Sequence, residues 1–118
     1  MKISTLMSYA HGFGGASQEI VELEKAGLDV VWVPEAYSFD AVSAMGYLAA
    51  KTDRITIASG ILNIYSRSPS LMAMTAAGLD ELSSGRFMLG LGASGPQVIE
   101  GFHGIPYDAP VTRLREII

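Results

Sequence analysis

Residues 90–95 read Gly-Leu-Gly-Ala-Ser-Gly, which matches the GxGxxG pattern of loops that bind a dinucleotide pyrophosphate. That chemistry requires a strand before the glycines, a helix N-terminus after them and an acidic residue about 20 positions later. Here Pro96 directly follows the third glycine, and the nearest suitably spaced acid, Asp108, lies in a Pro-Tyr-Asp-Ala-Pro loop. We therefore expect these glycines to mark a strand end where the backbone closely approaches another group. A NAD(P)-dependent dehydrogenase is the less favoured interpretation.

Three other residues have side chains that could move a proton. Glu35 follows the apolar run Trp-Val-Pro, where burial could raise its pKa toward use as a general acid. Alternatively, Glu35 caps the next helix or pairs with an arginine, and the sequence leaves both readings open. His11 and His103 lie in glycine-flanked loops, where each either relays a proton or is merely solvated. The catalytic candidates are therefore Glu35 and His11.

Composition narrows the class of ligand. Hydrophobic residues make up 49% of the 118 residues and charged residues only 17%, so much of the surface is expected to be covered. The net charge of -4 and the lack of a Lys/Arg cluster disfavour nucleic acid and anionic membranes as partners and favour a small molecule. With no cysteine, no signal-peptide core and no long apolar stretch, a cytoplasmic location is expected. No Ser-His-Asp order and no cluster of metal ligands is visible, so no metal site is expected.

These candidates must be positioned by a repeat of strand and helix. Short apolar runs at 3–9, 30–33, 55–62 and 87–91 are typical of buried parallel strands, and helical patterns lie between them. Ser17, Ser38 or Asp40, and Ser68 are the expected caps of the first three helices, and a fourth helix begins after Asp108 or Pro110.

Ligands of parallel α/β proteins bind where the strands end, because the loops that follow the strands gather there. This placement makes the following residues candidates for binding a cofactor: Ser8, Gly60, Ile61, Asn63, Ser94, Gly95 and Gln97. Four βα units do not close an eight-stranded barrel, which needs about 250 residues, so residues 1–118 are expected to be a fragment of a larger domain. A self-contained doubly wound domain is the alternative.

Several motifs resemble the luciferase-like monooxygenase superfamily, in particular its coenzyme F420-dependent oxidoreductase branch. The tract Leu-Asp-Glu-Leu-Ser-Ser-Gly-Arg-Phe at 79–87 is shared across that superfamily, and Ser-Gly-Pro-Gln-Val-Ile-Glu-Gly-Phe-His-Gly at 94–104 is closer to the F420 branch. The other segments that carry the resemblance are 33–41, 46–50, 52–55, 58–61, 67–69 and 90–92.

The resemblance implies a (β/α)8 TIM barrel of which residues 1–118 supply the N-terminal half. It implies an oxidoreductase that transfers a hydride between coenzyme F420 and a small organic substrate, and a homodimer when full length. An FMN-dependent monooxygenase and a non-catalytic flavin-binding relative are the alternatives. A bulge with a cis peptide, here Gly60-Ile61, would back the ring, and Ser94 and Gly95 would approach it. Several relatives place a histidine base where this chain has Ala36, so a mechanism that uses that histidine is not expected here.

Overall fold

Strands and helices alternate along the chain in the computed structural model, which describes all 118 residues. The elements, in chain order, are β1 Ser4–Leu6, α1 Gly12–Lys25, β2 Val30–Val33, α2 Ala41–Lys51, β3 Thr56–Ser59, β4 Leu62–Asn63, α3 Pro69–Leu82, β5 Phe87–Met88, β6 Leu91–Gly92, a π-helical segment Gln97–Phe102 and α4 Pro110–Ile117. The predicted repeat of strand and helix is therefore confirmed, although β1 is shorter than the apolar run at 3–9.

All strand pairs are parallel, and their order in space follows the chain. The main sheet has the order β1-β2-β3-β5, and β4 pairs with β6 in a second, two-stranded sheet. A doubly wound domain reverses its strand order at a switch point, whereas a βα barrel adds each strand beside the last. The order observed here is that of a barrel, so the doubly wound alternative is wrong.

The helices cover one face of the main sheet and leave the other bare. Val31, Val33 and Ile57 are fully buried and share one apolar core with Met45 and Leu48 of α2. On the opposite face, residues in register across the four strands are Leu6, Trp32, Ala58 and Met88. Leu6 is 61% exposed and Met88 42% exposed. In a closed barrel this face forms the interior, which is packed with side chains from all strands.

Two runs that read as continuous strands are each broken in the structure. The run at 55–62 divides into β3 and β4, with Gly60 and Ile61 between them, and the run at 87–91 divides into β5 and β6. At the break, the Ser59 hydroxyl accepts from the Gly90 N–H at 2.7 Å and donates to the Gly90 carbonyl at 2.9 Å. The side chain of Ser59 thus takes the place of a backbone-to-backbone hydrogen bond where both strands are interrupted.

The Gly60-Ile61 peptide bond is trans, so the expected cis bond is wrong. For a residue other than proline the trans form is favoured by about 2.5–4 kcal/mol. The change in strand direction is made at this point by the bridge through Ser59, with the Gly60 N–H donating to the Val33 carbonyl at 2.7 Å.

The caps of α2 and α3 are as predicted, and that of α1 is not. Asp40 accepts from the Ser43 N–H, and Ser68 accepts from the Leu71 N–H. Ser17 was the predicted cap of α1, but α1 begins at Gly12 and Ser17 is buried within it. The hydroxyl of Ser17 donates to the Gly14 carbonyl at 3.0 Å, a bond that satisfies a serine inside a helix.

Strand packing requires the first glycine of GxGxxG, while the second lies against a side chain that can move. A Cβ on Gly90 would overlap the Ser59 carbonyl oxygen, and a Cβ on Gly92 would overlap the Ile61 side chain. This explains why a glycine-rich pattern occurs here although the strand order is not that of a dinucleotide-binding fold. The expectation of a close backbone approach is confirmed.

We expect Gly90→Ala to lower the free energy of unfolding by about 1–3 kcal/mol, because the added methyl group meets rigid backbone. Gly46→Ala is the matched control, because Gly46 lies inside α2 and its Cβ would meet nothing within 4 Å. That control should be neutral or stabilising by up to about 1 kcal/mol. Chemical denaturation of both variants measures the difference, and equal effects would contradict the packing role of Gly90.

Candidate active site

The carboxyl ends of the strands leave several backbone N–H groups without a backbone acceptor. Ile61 lies in the break between β3 and β4, and Ser94 and Gly95 follow β6. The N–H groups of these three residues donate to no other backbone group, and all three residues are half-buried. In the parallel pairing of β4 with β6, Leu62 lies opposite Leu91 and Asn63 opposite Gly92, so Ile61 precedes this pair and Ser94 and Gly95 follow it.

Tyrosine side chains hold the loop that carries Ser94. Ser94 has a positive φ of 57°, a strained conformation for a residue with a side chain. Its carbonyl accepts from the Tyr107 hydroxyl at 3.2 Å, and the ring of Tyr107 stacks on that of Tyr65 with centroids 5.3 Å apart. Ile99, in the π-helical segment, is fully buried beneath the same loop. The predicted cofactor loop is therefore fixed by its own small core.

The other predicted cofactor residues are placed differently. Asn63 is buried, and its side-chain oxygen accepts from the Tyr65 N–H at 2.8 Å. The side-chain amide of Asn63 is therefore used to stabilise a turn. Ser8 is exposed and its hydroxyl oxygen lies 3.5 Å from the Ala10 N–H. Gln97 is exposed at the start of the π-helical segment. Of the seven candidates, Ile61, Ser94 and Gly95 have backbone N–H groups without a backbone acceptor.

Glu35 forms an ion pair. Its two carboxylate oxygens accept from the Arg67 guanidinium at 2.6 and 2.7 Å, and one of them also accepts from the Ala41 N–H at the start of α2. The side chains of Arg67 and Glu35 are only 10% and 12% exposed. Both open alternatives for Glu35, the arginine partner and the helix cap, therefore occur together. Both carboxylate oxygens of Glu35 are occupied by these partners, so a proton transfer through Glu35 would require one of these hydrogen bonds to break.

Asp40 completes this cluster. One of its oxygens accepts from Arg67 at 3.0 Å, and the other accepts from the Ser43 N–H and hydroxyl at 2.8 Å. Burial alone would raise the pKa of Asp40, but the Ser43 hydrogen bonds and the Arg67 charge outweigh it and hold that pKa below its usual value. The hydrogen bonds that Arg67 donates to Glu35 raise the pKa of Arg67 and outweigh the opposite effect of burial.

One polar atom near this cluster has no partner. The Tyr9 hydroxyl is buried and makes no hydrogen bond, while its ring packs against Phe13 and Phe39. Burial, with a smaller contribution from the charges of Asp40 and Glu35, raises the pKa of Tyr9. This tyrosine therefore remains protonated at neutral pH.

The two histidines differ in their surroundings. His11 is exposed immediately before α1, and its side chain makes no capping hydrogen bond. His103 is half-buried, packs edge-on against Phe102 and lines the same cavity as Glu35 and Arg67. The structure thus brings His103, and not the preferred candidate His11, into the neighbourhood of Glu35.

Sequence reasoning expected an arginine partner for Glu35 but did not identify it as Arg67, and it missed the bridge formed by Ser59. The pair is separated by 32 residues, and an isolated arginine carries no signal of its partner. For Ser59, the available signal was a small polar residue directly before a glycine inside an otherwise apolar run.

The strand order and the bare inner face define a protein of the βα-barrel class. Within that class, a family model described as luciferase-like monooxygenase matches residues 2–118. The chain belongs to the luciferase-like monooxygenase family, and the resemblance found in the sequence is confirmed.

Relatives in this family include enzymes of coenzyme F420. A Mycobacterium tuberculosis protein, named provisionally as a coenzyme F420-dependent oxidoreductase, is 39% identical over 99 residues, which are 84% of this chain and 28% of that protein. A 5,10-methylenetetrahydromethanopterin reductase of Methanolobus tindarius is 35% identical over 96 residues, 80% of this chain and 29% of that protein. The chain thus spans less than a third of the length of these relatives.

Solved structures share the fold. The coenzyme F420-dependent tetrahydromethanopterin reductase of Methanopyrus kandleri superposes with a TM-score of 0.82 at 24% identity, over 99% of this chain and 37% of that one. The oxygenating constituent of 3,6-diketocamphane monooxygenase from Pseudomonas putida, solved with FMN, gives 0.85 at 19% identity, over 99% and 38%. These TIM-barrel enzymes confirm the fold class, of which this chain forms the first four βα units.

No helix in the structure has the length and apolar character needed to cross a bilayer. No group of three or more His, Asp or Glu side chains is close enough together to hold a metal ion. The charged groups of the site are instead used in pairing Glu35 and Asp40 with Arg67.

We expect Glu35→Gln to lower the free energy of unfolding by about 2–4 kcal/mol, since it leaves a mostly buried guanidinium with a weaker partner. Glu22→Gln is the matched control, because Glu22 pairs with Lys25 on an exposed face and its loss should change stability little. Urea denaturation of both variants is the measurement. A similar small effect for the two would show that the Glu35 pair does not hold the loops together.

Proposed function

We propose that this chain carries the ring-binding strand ends of a flavin- or deazaflavin-dependent oxidoreductase that acts on a small organic molecule. Residues 1–118 would form the N-terminal half of a larger barrel, and the activity would belong to the complete barrel. The observation that carries the proposal is the set of unpaired N–H donors at Ile61, Ser94 and Gly95. Members of this family are oxidoreductases and monooxygenases, which fits such a site.

The donors fit the chemistry of a flavin. The carbonyl oxygens and ring nitrogens of a flavin or deazaflavin accept hydrogen bonds, and backbone N–H groups on fixed strands supply them without the entropy cost of ordering side chains. The glycines at 60 and 95 keep the backbone accessible to a flat ring. When bound, the ring would supply hydride or electron transfer, and the protein would hold and orient it.

Coenzyme F420 is the cofactor we favour. Two of the relatives are named for coenzyme F420 or as a methylenetetrahydromethanopterin reductase, and the tract at 94–104 resembles the F420 branch. FMN is the second candidate, supported by the monooxygenase of the same fold that was solved with FMN. A nicotinamide-dependent dehydrogenase is less favoured, because Gly90 is required by packing and the strand order is not that of a dinucleotide-binding fold.

The proposed role of Glu35 is to position the site. Its ion pair with Arg67 joins the loop after β2 to the loop before α3, and both loops follow strands that end at the proposed ring site. We retain Ser8, Asn63 and Gln97 as candidates for residues that contact the edge of the cofactor. Asn63 would act indirectly, because its side chain stabilises the turn that leads to Tyr65. His11, being exposed, has no structural support beyond its place after β1.

The cofactor is tested by titrating the full-length protein with coenzyme F420, FMN and NADPH while following fluorescence. We expect F420 to bind most tightly. Gly95→Val should weaken binding on the order of tenfold, because its side chain would stand among the donors while meeting only the flexible end of Gln97. Gly101→Val is the control, since its Cβ meets nothing within 4 Å.

The other outcomes of this titration separate the alternatives. Preference for FMN would indicate a monooxygenase of the flavin type, and binding without turnover would indicate a non-catalytic relative. Tight binding of NADPH alone would restore the dehydrogenase reading. Binding of none of the three by a folded full-length protein would refute the proposed function.

We also propose that the full-length protein is a homodimer that pairs through α3. Only Met72 and Leu79 of this apolar 14-residue helix are buried. Leu71, Met74 and Leu82 lie along one outward stripe and are 48%, 70% and 67% exposed. An apolar stripe of this kind on a stable protein is commonly covered by a partner, and two-fold pairing of identical stripes is the simplest arrangement.

Met74→Glu should convert the dimer to a monomer, because it buries a charge at the centre of the proposed contact. Gln18→Glu, which adds the same charge on the exposed side of α1, should leave the mass unchanged. Sedimentation equilibrium of the full-length variants gives the masses. A monomeric parent protein, or a dimer in both variants, would contradict pairing through α3.

A further inference from the structure

One peptide group at the proposed ring site is held at one end and free at the other. The peptide bond between Ser94 and Gly95 is trans, so the Ser94 carbonyl and the Gly95 N–H point in opposite directions. The carbonyl accepts a hydrogen bond from the Tyr107 hydroxyl at 3.2 Å, whereas the N–H donates to no other backbone group. A contact that fixes the direction of this carbonyl therefore also fixes the direction of the free donor.

The backbone that follows this peptide group does not fix its direction. The Gly95 carbonyl accepts from the N–H groups of Val98 and Ile99 at the start of the π-helical segment, and Pro96 has no N–H group. The peptide group before that carbonyl could rotate about its two flanking bonds while these hydrogen bonds stay in place, because Gly95 has no Cβ to oppose the rotation. Such a rotation would turn the Gly95 N–H to the opposite side and break the hydrogen bond to Ser94.

Tyr107 is itself held by several contacts. Its ring stacks on the buried ring of Tyr65, with centroids 5.3 Å apart, and its N–H donates to the Glu100 carboxylate at 3.1 Å. Tyr65 in turn lies beneath the Arg113 guanidinium, 4.7 Å from the ring centroid, and donates its hydroxyl to the Asp108 carbonyl at 2.6 Å. Because these contacts already restrict the Tyr107 side chain, its hydroxyl can hold a partner with little further loss of conformational entropy.

We propose that Tyr107 is a positioning residue of the ring site, whose hydroxyl holds the Ser94 carbonyl and thereby directs the Gly95 N–H to a carbonyl oxygen of the flavin or deazaflavin ring. This role rests on the proposed function, because Tyr107 acts through a donor of that same site and does not itself touch the ring. A hydrogen bond accepted by the Ser94 carbonyl also polarises the peptide group, which makes the Gly95 N–H a stronger donor.

The test removes only the hydroxyl, by Tyr107→Phe in the full-length protein, and titrates it with coenzyme F420 and with FMN while following fluorescence. We expect the variant to bind the parent protein's cofactor about three- to tenfold more weakly, since one hydrogen bond to the ring is lost. Tyr65→Phe is the matched control, because it removes a hydroxyl of the same stacked pair that bonds to the Asp108 carbonyl instead of the donor peptide. The control should change the affinity less than about twofold.

The infrared spectrum of the bound ring distinguishes positioning from a general loss of stability. A hydrogen bond lowers the stretching frequency of the carbonyl group that accepts it, and 13C labelling of the ring carbonyls identifies their bands. We expect one ring carbonyl band to lie at higher frequency in Tyr107→Phe than in the parent protein, and to be unmoved in Tyr65→Phe. A variant that merely binds less cofactor would show a weaker band at the same frequency.

The outcomes separate this role from the proposed function. Equal weakening by the two variants, or an unmoved carbonyl band in Tyr107→Phe, would overturn the role of Tyr107 while the cofactor assignment stands. Binding of neither cofactor by the folded parent protein would instead refute the proposed function. If Tyr107→Phe fails to fold, the parent protein labelled with 15N-glycine still decides, because the Gly95 amide proton should move downfield when it donates to the ring. An unmoved Gly95 signal on saturation with cofactor would overturn the proposal.

Discussion

The bridge between the Ser59 hydroxyl and the backbone of Gly90 is the contact on which the rest of the structure depends. The hydroxyl donates to the Gly90 carbonyl and accepts from the Gly90 N–H, at the level where two neighbouring parallel strands both leave the main sheet. The hydroxyl satisfies the Gly90 N–H, which has no backbone acceptor at the break and would cost free energy if left unpaired. The Gly90 carbonyl also accepts from the Leu62 N–H at 2.8 Å, so the two strands stay joined at this point and β4 and β6 continue as a separate pair.

The two ends of the strands are stabilised by different means. At the amino ends, the Glu24 carboxylate accepts from three successive N–H groups of the turn before β3, and Arg86 donates to the Thr52 hydroxyl and to the carbonyls of Ala49 and Ile55. Burial would raise the pKa of Glu24, but these backbone bonds outweigh it and lower that pKa. The shared tract at 79–87 thus acts in stability, whereas the loops at the carboxyl ends are available for function.

Much of the fold was predictable from local patterns. Runs of β-branched residues separated by helical periods indicated a parallel sheet, and Asp40 and Ser68 marked the starts of two helices. The prediction that Ser17 caps α1 was wrong, because a serine can satisfy its hydroxyl inside a helix as well as at its start. The family resemblance implied a bulge at Gly60-Ile61, but the break near Gly90 was not predicted, because an apolar run has the same composition on both sides of a break.

The sequence by itself determined the class of fold and the family, because these depend on periodicity and on motifs read along the chain. The tertiary structure decided which side chains meet. It paired Glu35 with Arg67, placed His103 rather than His11 beside them, and showed that a Cβ on Gly90 would overlap the backbone of Ser59. Such partners are set by the packing of distant segments, and no local pattern encodes a contact between residues that the chain itself keeps far apart.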